Sequence, residues 1–303
     1  YLFIVTLRLN IKSVNYFNQD TFKIMSKETF LLLNNIFFIA AALTVLVGTI
    51  YPLFSEIIYN SSVSIGAPYY NFAFNLLMAP IILLMAFAPQ IKWGEHKKKN
   101  NQTFYIIAIS IVITAIVYYL LGNIFFALSV FITMPLFIKS FLVFFKKVSK
   151  DRSFFAQWLA HLSIGLFIVA AVYTEQFDYE KNITFEKGDS NEIVLDKETS
   201  LLLENIKDSD LSNHQKISVD LMVVEKNLKY FLSPSKNIYQ PSGQVTNEVS
   251  TVNRYFDQYY ATISMIESDK VSINLVFKPF INLLWISSIL LVFSIFLSII
   301  KRK

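Results

Sequence analysis

The chain has 303 residues, of which 54% are hydrophobic and 16% are charged, and its mean hydropathy is +0.47. These values are typical of an integral membrane protein and exclude an ordinary soluble domain. The sequence has no cysteine, which excludes disulfides and a thiolate nucleophile. The net charge of +5 does not indicate nucleic-acid binding, because the basic residues flank apolar stretches.

Six apolar stretches are each long enough to cross about 30 Å of hydrocarbon as a helix. They predict a polytopic α-helical membrane protein with transmembrane helices at 30–54, 72–91, 104–121, 124–145, 154–173 and 280–300. Residues 1–7 are too few to span the membrane and lack the basic start of a signal peptide. We therefore expect them to be the cytoplasmic end of an upstream helix, in a chain that is a fragment or one piece of a split protein.

Basic residues predict the orientation, because Lys and Arg are retained on the cytoplasmic side of short loops. The basic segments alternate with the six spans so that all fall on one side, at 8–27, 92–99, 146–152 and 301–303. The other side receives a polar insert with 10 basic and 17 acidic residues, a net charge of −7. The expected regions are a membrane domain at 1–173, an acidic β-rich domain on the periplasmic side at 174–276, and a last helix with its basic tail at 277–303.

The insert carries the alternation of apolar and polar residues that is typical of half-buried strands. Three longer and two shorter strands are predicted at 217–223, 261–265, 271–277, 183–185 and 193–195. The polar link at 267–270 is short enough for a hairpin, and Gly188 marks a turn between the two short strands. A segment of this length holds one small β-rich core.

Several motifs resemble one family. They read SKETFLLLNN at 26–35, GTIYPLF at 48–54, SVSIGAPYYN at 62–71, NLLMAPIILLMAFAPQIKW at 75–93, QWLAHLSIGLF at 157–167, LSPSKNIYQPSGQVTNEVSTVNRYFDQYYATI at 232–263 and FKPFINLLW at 277–285. Their wording and order resemble the CcmF/NrfE family of cytochrome c-type biogenesis proteins, which are membrane haem lyases. The longest motif contains an acidic residue and a tyrosine that the family also has before its next strand, here Asp257 and Tyr259.

The resemblance implies a reaction, and it extends to about the C-terminal half of the family. The reaction is thioether formation between the vinyl groups of haem and the two cysteines of a CxxCH motif in apocytochrome c. The tryptophan-rich outer loop and flanking histidines that hold the transferred haem in the family are absent from this sequence. We therefore expect the transferred haem to lie mainly on a missing N-terminal half, which this chain needs as a partner.

Partners and location follow from the same resemblance. The implied partners are the N-terminal half of the haem lyase, apocytochrome c, and the haem chaperone and thiol-reducing subunits of the cytochrome c maturation system, together with the lipid bilayer. The implied location is the bacterial inner membrane with the large domain on the periplasmic side. The mitochondrial inner membrane is the alternative.

One histidine, His161, lies inside a predicted span, where an ionisable residue is costly to bury and is therefore a candidate functional residue. Neutral imidazole is a good axial ligand for haem iron, and the resemblance implies that His161 holds a resident b-type haem. Gly165, one turn later, would let a flat macrocycle approach the backbone, and Trp158, one turn earlier, would flank the ring. The alternative is a packing histidine bonded to a neighbouring carbonyl or hydroxyl group.

Other residues have a plainer interpretation beside the functional one. Lys139 would pair with a haem propionate or extend to the membrane interface. Tyr69 and Tyr70 would form the floor of a haem or apocytochrome site, or would pack at the end of the second helix. Two rival functions remain, a non-catalytic scaffold of the assembly complex and a transporter subunit. The transporter is disfavoured because no Asp or Glu lies in the middle of a predicted span.

Overall fold

The computed structural model describes residues 26–60, 63, 65–87, 101–146, 152–186, 192–195, 198–226, 228–240, 242–267 and 270–299. Six helices in these ranges are long and apolar enough to cross a membrane, which confirms the six predicted spans. They are α1 (Lys27–Tyr59), α2 (Ala67–Phe87), α3 (Asn101–Leu121), α4 (Ile124–Lys146), α5 (Arg152–Phe177) and α6 (Ile281–Ile299). The residues that carry most of the orientation argument, at 8–23, 92–99, 147–150 and 301–303, lie outside the described residues, as does the turn at Gly188.

Helix α1 is the longest helix and extends beyond its predicted span at both ends. Ser26 caps its start, because the Ser26 hydroxyl oxygen accepts the backbone N–H of Thr29 at 3.3 Å. Its 33 residues correspond to about 50 Å at 1.5 Å per residue, which is more than the hydrocarbon thickness. The helix ends where Asn60 adopts the left-handed conformation, with a φ of 47°.

Helices α1 and α2 pack through a stripe of small residues. Ala41, Gly48 and Ser55 are the buried residues of α1, and they recur every seven positions. A Cβ atom at Gly48 would lie 2.7 Å from Cε1 of Tyr69 and 3.0 Å from Cε1 of Tyr70. The Tyr69 hydroxyl donates to the Thr44 carbonyl at 3.2 Å. The glycine therefore allows the two backbones to approach closely, as small residues do in membrane helix pairs.

Helices α5 and α6 form a second closely packed pair. Small residues on α5 are buried at Ala156, Ser163 and Ala170, again seven apart, and Ser287 and Ser294 are buried at the same spacing on α6. Their hydroxyl groups bond to carbonyls of their own helix, so that they need no partner across the interface. At the end of the pair nearest the β-rich domain, the Thr174 hydroxyl donates to the Pro279 carbonyl at 2.6 Å.

The chain between α5 and α6 folds into two antiparallel sheets. Its strands are β1 (Tyr179–Glu186), β2 (Glu192–Val194), β3 (Thr199–Asp210), β4 (His214–Glu225), β5 (Leu228–Leu232), β6 (Ser235–Tyr239), β7 (Val245–Glu248), β8 (Ser250–Arg254), β9 (Asp257–Ile266) and β10 (Lys270–Lys278). One sheet has the order β1-β10-β9-β8, and the other has the order β2-β3-β4-β6-β7 with β5 also paired to β4. A common core contains Phe185, Leu201, Val219, Leu221, Tyr259, Ile263, Ile273 and Leu275.

This architecture confirms the predicted fold class, a polytopic helical membrane protein with a β-rich domain between its last two helices. The predicted strands and the β9–β10 hairpin are present, and the Glu267 N–H donates to the Lys270 carbonyl within that hairpin. The two short predicted strands do not pair with each other, because β1 pairs with β10 and β2 pairs with β3. Helix α5 continues to Phe177, so that the first residues expected in the outer domain are helical.

A turn between β8 and β9 is joined to the start of α6. Asp257 accepts the backbone N–H of Phe280 at 2.9 Å, and Phe280 has a positive φ of 56°. The backbone N–H of Asn282 donates to the Phe256 carbonyl at 3.0 Å, and its side-chain amide donates to the Tyr255 carbonyl at 2.9 Å. These bonds fix the β-rich domain to the point where the chain enters its last helix.

Candidate functional site

The candidate site is the middle of α5, where His161 is half-buried. Its Nδ1 lies 2.8 Å from the carbonyl oxygen of Gln157, one turn earlier on the helix. Because a carbonyl oxygen only accepts, Nδ1 carries the proton and Nε2 keeps its lone pair. Within the described part of the chain, the imidazole makes this hydrogen bond through Nδ1 only. A backbone carbonyl on one nitrogen is the usual arrangement for a histidine that binds a metal through the other.

The side of α5 that carries His161 differs from its packed side. His161 is two residues from Leu159 and two from Ser163, both buried, and two residues turn a helix by about 200°. His161 therefore lies nearly opposite the small-residue stripe of α5, on a face that also exposes Gln157. The imidazole is held by its own helix and is half-buried on that face, with Nδ1 bonded to the helix backbone.

Trp158, predicted to flank the ring of a haem, has one side of its indole against Phe144. The two ring centroids are 4.6 Å apart with 30° between the planes, and Phe155 lies 5.6 Å away on the same helix as Trp158. The indole nitrogen Nε1 is buried and has no hydrogen-bond acceptor among the described residues. A buried N–H without an acceptor costs free energy. A ligand that placed an acceptor atom beside Nε1 of Trp158 would therefore bind more favourably.

Gly165, the third predicted site residue, is buried. Neighbouring side chains therefore cover its backbone, and a flat macrocycle reaches it only after they move. The described residues thus offer one metal ligand and one free donor within a turn of each other, which fits a single axial contact to haem. No group of three or more His, Asp or Glu side chains that could hold a metal ion occurs in the described ranges.

Other sequence-predicted residues have structural partners. Lys139 is buried, and its Nζ lies 3.9 Å from the ring centroid of Phe87 at the end of α2, so that it does not extend to solvent. Tyr69 and Tyr70 pack against Gly48, which accounts for them as helix-packing residues. Tyr259 is a core residue, and burial raises the pKa of its hydroxyl group.

Asp257 and Glu248, from the longest motif, both act as hydrogen-bond acceptors. Asp257 accepts the Phe280 N–H at the start of α6. Glu248 accepts from the Ser235 hydroxyl at 2.7 Å, the Lys216 ammonium at 2.9 Å and the Asn237 amide at 2.9 Å. These three donors lower the pKa of Glu248 to about 2. Sequence reasoning missed both roles, because the partners are distant along the chain.

Known relatives were found by sequence comparison. No family model matches the chain. It is 24% identical over 277 residues to the cytochrome c-type biogenesis protein CcmF of Escherichia coli, covering 88% of this chain and 42% of that protein. The corresponding protein of Haemophilus influenzae is 24% identical and covers 94% of this chain, and CycK of Rhizobium meliloti is 26% identical and covers 86%. The chain spans less than half the length of these relatives, at 42%, 46% and 41%.

The fold is also similar to that of a protein of known structure. The structure of a cytochrome c haem lyase CcmF superimposes with a TM-score of 0.75 and 17% sequence identity, over 92% of this chain and 46% of that one. The six-helix arrangement with an inserted β-rich domain is therefore the fold of that protein across the matched part. In sequence and in fold, the chain is therefore similar, over most of its length, to the CcmF proteins of cytochrome c-type biogenesis.

Proposed function

We propose that this chain is part of the haem lyase that attaches haem covalently to apocytochrome c, and that His161 supplies one axial ligand to a resident b-type haem. The observation that carries the proposal is the hydrogen bond from Nδ1 of His161 to the Gln157 carbonyl, which leaves Nε2 available to iron. The likeness to proteins named for cytochrome c-type biogenesis, and to a haem lyase of known structure, supports the reaction.

Each residue of the site has a defined part in the proposal. The Gln157 carbonyl fixes the orientation of the imidazole and makes Nε2 a better donor to the metal. The buried Nε1–H of Trp158 is available to an acceptor group on the same ligand. Gly165 has no side chain, so that the haem could approach the backbone of α5 there once the neighbouring side chains that bury this glycine have moved. A haem held there by His161 would supply one-electron chemistry, and a second ligand would come from the N-terminal half of the lyase.

Covalent attachment itself takes place mainly on that other half. A cysteine thiol adds across a haem vinyl group, so that the sulfur forms a bond to one vinyl carbon and the thiol hydrogen goes to the other. No net oxidation is involved. The membrane domain at 1–173 then serves the resident haem, while the domain at 174–276 faces apocytochrome c, with the haem chaperone and thiol-reducing subunits as further partners.

We place the chain in a bacterial inner membrane with the β-rich domain on the periplasmic side. The basic segments that flank the helices support this orientation, since they fall on the opposite side from the insert. The insert carries a net charge of −7, so that opposite charge would speed its encounter with a basic apocytochrome at low salt.

The test is the absorption spectrum of the chain purified together with its N-terminal complement. His161→Ala is expected to abolish the b-type haem spectrum while membrane insertion is unchanged. The matched control is His214→Ala in the outer domain, where the ring packs on Tyr239 and Nδ1 bonds to the Asn213 amide oxygen. His161→Gly should lose the spectrum and regain part of it when imidazole is added. A full haem spectrum in His161→Ala would show that His161 is a packing residue.

A colourless wild-type complex would contradict the haem proposal and favour the scaffold alternative. In that case apocytochrome c would still bind to the complex, but no haem would copurify. The two outcomes are therefore separated by one spectrum and one binding measurement.

A further inference from the structure

We infer that the turn between β8 and β9 anchors the β-rich domain in the lipid headgroup region, with Tyr255 and Phe256 as the inserted side chains. The partner is the bilayer surface on the side of the membrane that carries this domain. The inference is independent of haem binding at His161.

The position of the turn is fixed by hydrogen bonds to the start of α6. Asn282 binds the carbonyl of Phe256 through its backbone N–H and the carbonyl of Tyr255 through its side chain, at 3.0 and 2.9 Å. Asp257, immediately after the turn, accepts the N–H of Phe280 at 2.9 Å. Three hydrogen bonds, one to each of residues 255–257, leave the turn little freedom to move along the helix axis.

The depth of the turn follows from the length of α6. Its 19 residues extend about 28 Å, close to the thickness of the hydrocarbon region, so that Ile281 lies at one hydrocarbon boundary. A turn bonded to Asn282 therefore lies within a few ångströms of the headgroups. Trp285, one turn into the helix and 60% exposed, is the residue type that marks this boundary.

The chemistry of the turn is unusual for a loop that faces water. Tyr255 is 85% exposed and Phe256 is 50% exposed, although turns in water favour Gly, Asn and Asp. Tyr255 also has a positive φ of 50°, a conformation in which an aromatic residue is disfavoured. Aromatic rings with an apolar body and, in Tyr, a polar tip are enriched at membrane interfaces.

Other exposed aromatic residues lie at the same level of the protein. The turn between α3 and α4 is held to the end of α5, because the side-chain amide of Asn123 donates to the side-chain oxygen of Gln176 at 3.1 Å. The rings of Tyr173 on α5 and Phe280 before α6 are also in contact, with their centroids 4.7 Å apart. Next to that turn, Tyr119 and Phe125 are also exposed. The β8–β9 turn therefore continues a band of aromatic side chains around the helix ends.

The experiment uses the full chain in proteoliposomes and exploits its lack of cysteine. A single cysteine replaces Tyr255 and carries an environment-sensitive fluorophore. The control is Glu267→Cys, an exposed position at the far end of β9, whose ten residues extend about 30 Å from the turn. Nitroxide lipids that carry the quencher either at the headgroup or deep in the acyl chain are compared.

The label at position 255 is expected to be quenched several-fold more by the headgroup nitroxide than the label at 267, and more than by the deep nitroxide. A second variant, Phe256→Cys, should behave like the first. Equal quenching at 255 and 267 would overturn the inference. So would a blue-shifted label at 255 that neither nitroxide reaches, since that result would place the turn against another protein.

Discussion

Replacing Gly48 by alanine tests the close packing of α1 against α2. The new Cβ atom would lie 2.7 Å from Cε1 of Tyr69, a ring that its hydrogen bond to the Thr44 carbonyl holds in place. Overpacking of this kind costs about 1–3 kcal/mol, whereas removing a glycine from a helix interior gains about 1 kcal/mol. The net expectation is that the packed state of α1 and α2 loses about 1 kcal/mol of stability. The population in which the two helices are separated would rise about fivefold.

The assay is thiol labelling of Ser55→Cys, a near-isosteric change at a buried position of α1 in a chain without cysteine. Labelling requires local separation of the helices, so that its rate reports the open population. Gly48→Ala should label about fivefold faster than the parent. Gly66→Ala is the matched control, since its Cβ would meet only Pro68 Cδ at 3.6 Å.

A double variant separates the clash from other causes. Tyr69→Ala removes the ring that the new methyl group meets, so that Gly48→Ala should cost less in that background than in the wild type. If Gly48→Ala labels no faster than Gly66→Ala, or if Tyr69→Ala does not change its effect, the packing argument is refuted.

Three further predictions concern the outer domain and the topology. Asp257→Ala should weaken the joint with α6 by about 1 kcal/mol, because the N–H of Phe280 loses its acceptor; hydrogen exchange at the start of α6 measures this. The pKa of Glu248 is lowered from 4.5 to about 2, so that its stabilising effect is present above pH 4.5 and is lost as the pH falls towards 2. Hydrogen exchange, corrected for intrinsic rates, measures the stability of the domain. The wild type should be more stable than Glu248→Gln above pH 4.5, and this difference should shrink as the pH falls towards 2. Cysteines at Asn100 and Ser209 should label from opposite sides of the membrane, and labelling from one side would contradict the orientation.

The sequence was sufficient to predict the six helices, because a run of about 20 apolar residues has few alternatives to spanning a bilayer. It also predicted the strands at 217–223 and 261–265, whose alternate residues, Val219 and Ile263 among them, enter the common core. Strand β3 was not predicted, because its second half is polar and mostly exposed. That half is paired with β4, whereas β2 pairs only with the first half of β3. Strands β5 to β8 have only four or five residues each, and β6 to β8 are mainly polar, so that they carry little periodic signal.

The candidate site was predictable only in part. His161 was identifiable because an ionisable residue inside an apolar span is conspicuous. The contact between Trp158 and Phe144 was not predictable, since it joins two helices whose packing faces the sequence does not distinguish. The bond from Asp257 to Phe280 joins residues that are 23 positions apart, so that only the folded chain brings them together.

The pairing of β1 with β10 links the outer domain mechanically to the membrane helices. These two strands are hydrogen-bonded neighbours from Tyr179 and Phe277 outward, and they lead directly into α5 and α6. The hydrogen bond from the Thr174 hydroxyl to the Pro279 carbonyl joins the chain just before β1 to the chain just after β10. We therefore expect the sheet and these two helices to move together. A partner that tilts the sheet on binding would then also tilt α5, on which His161 lies about 24 Å along the helix axis from Phe177.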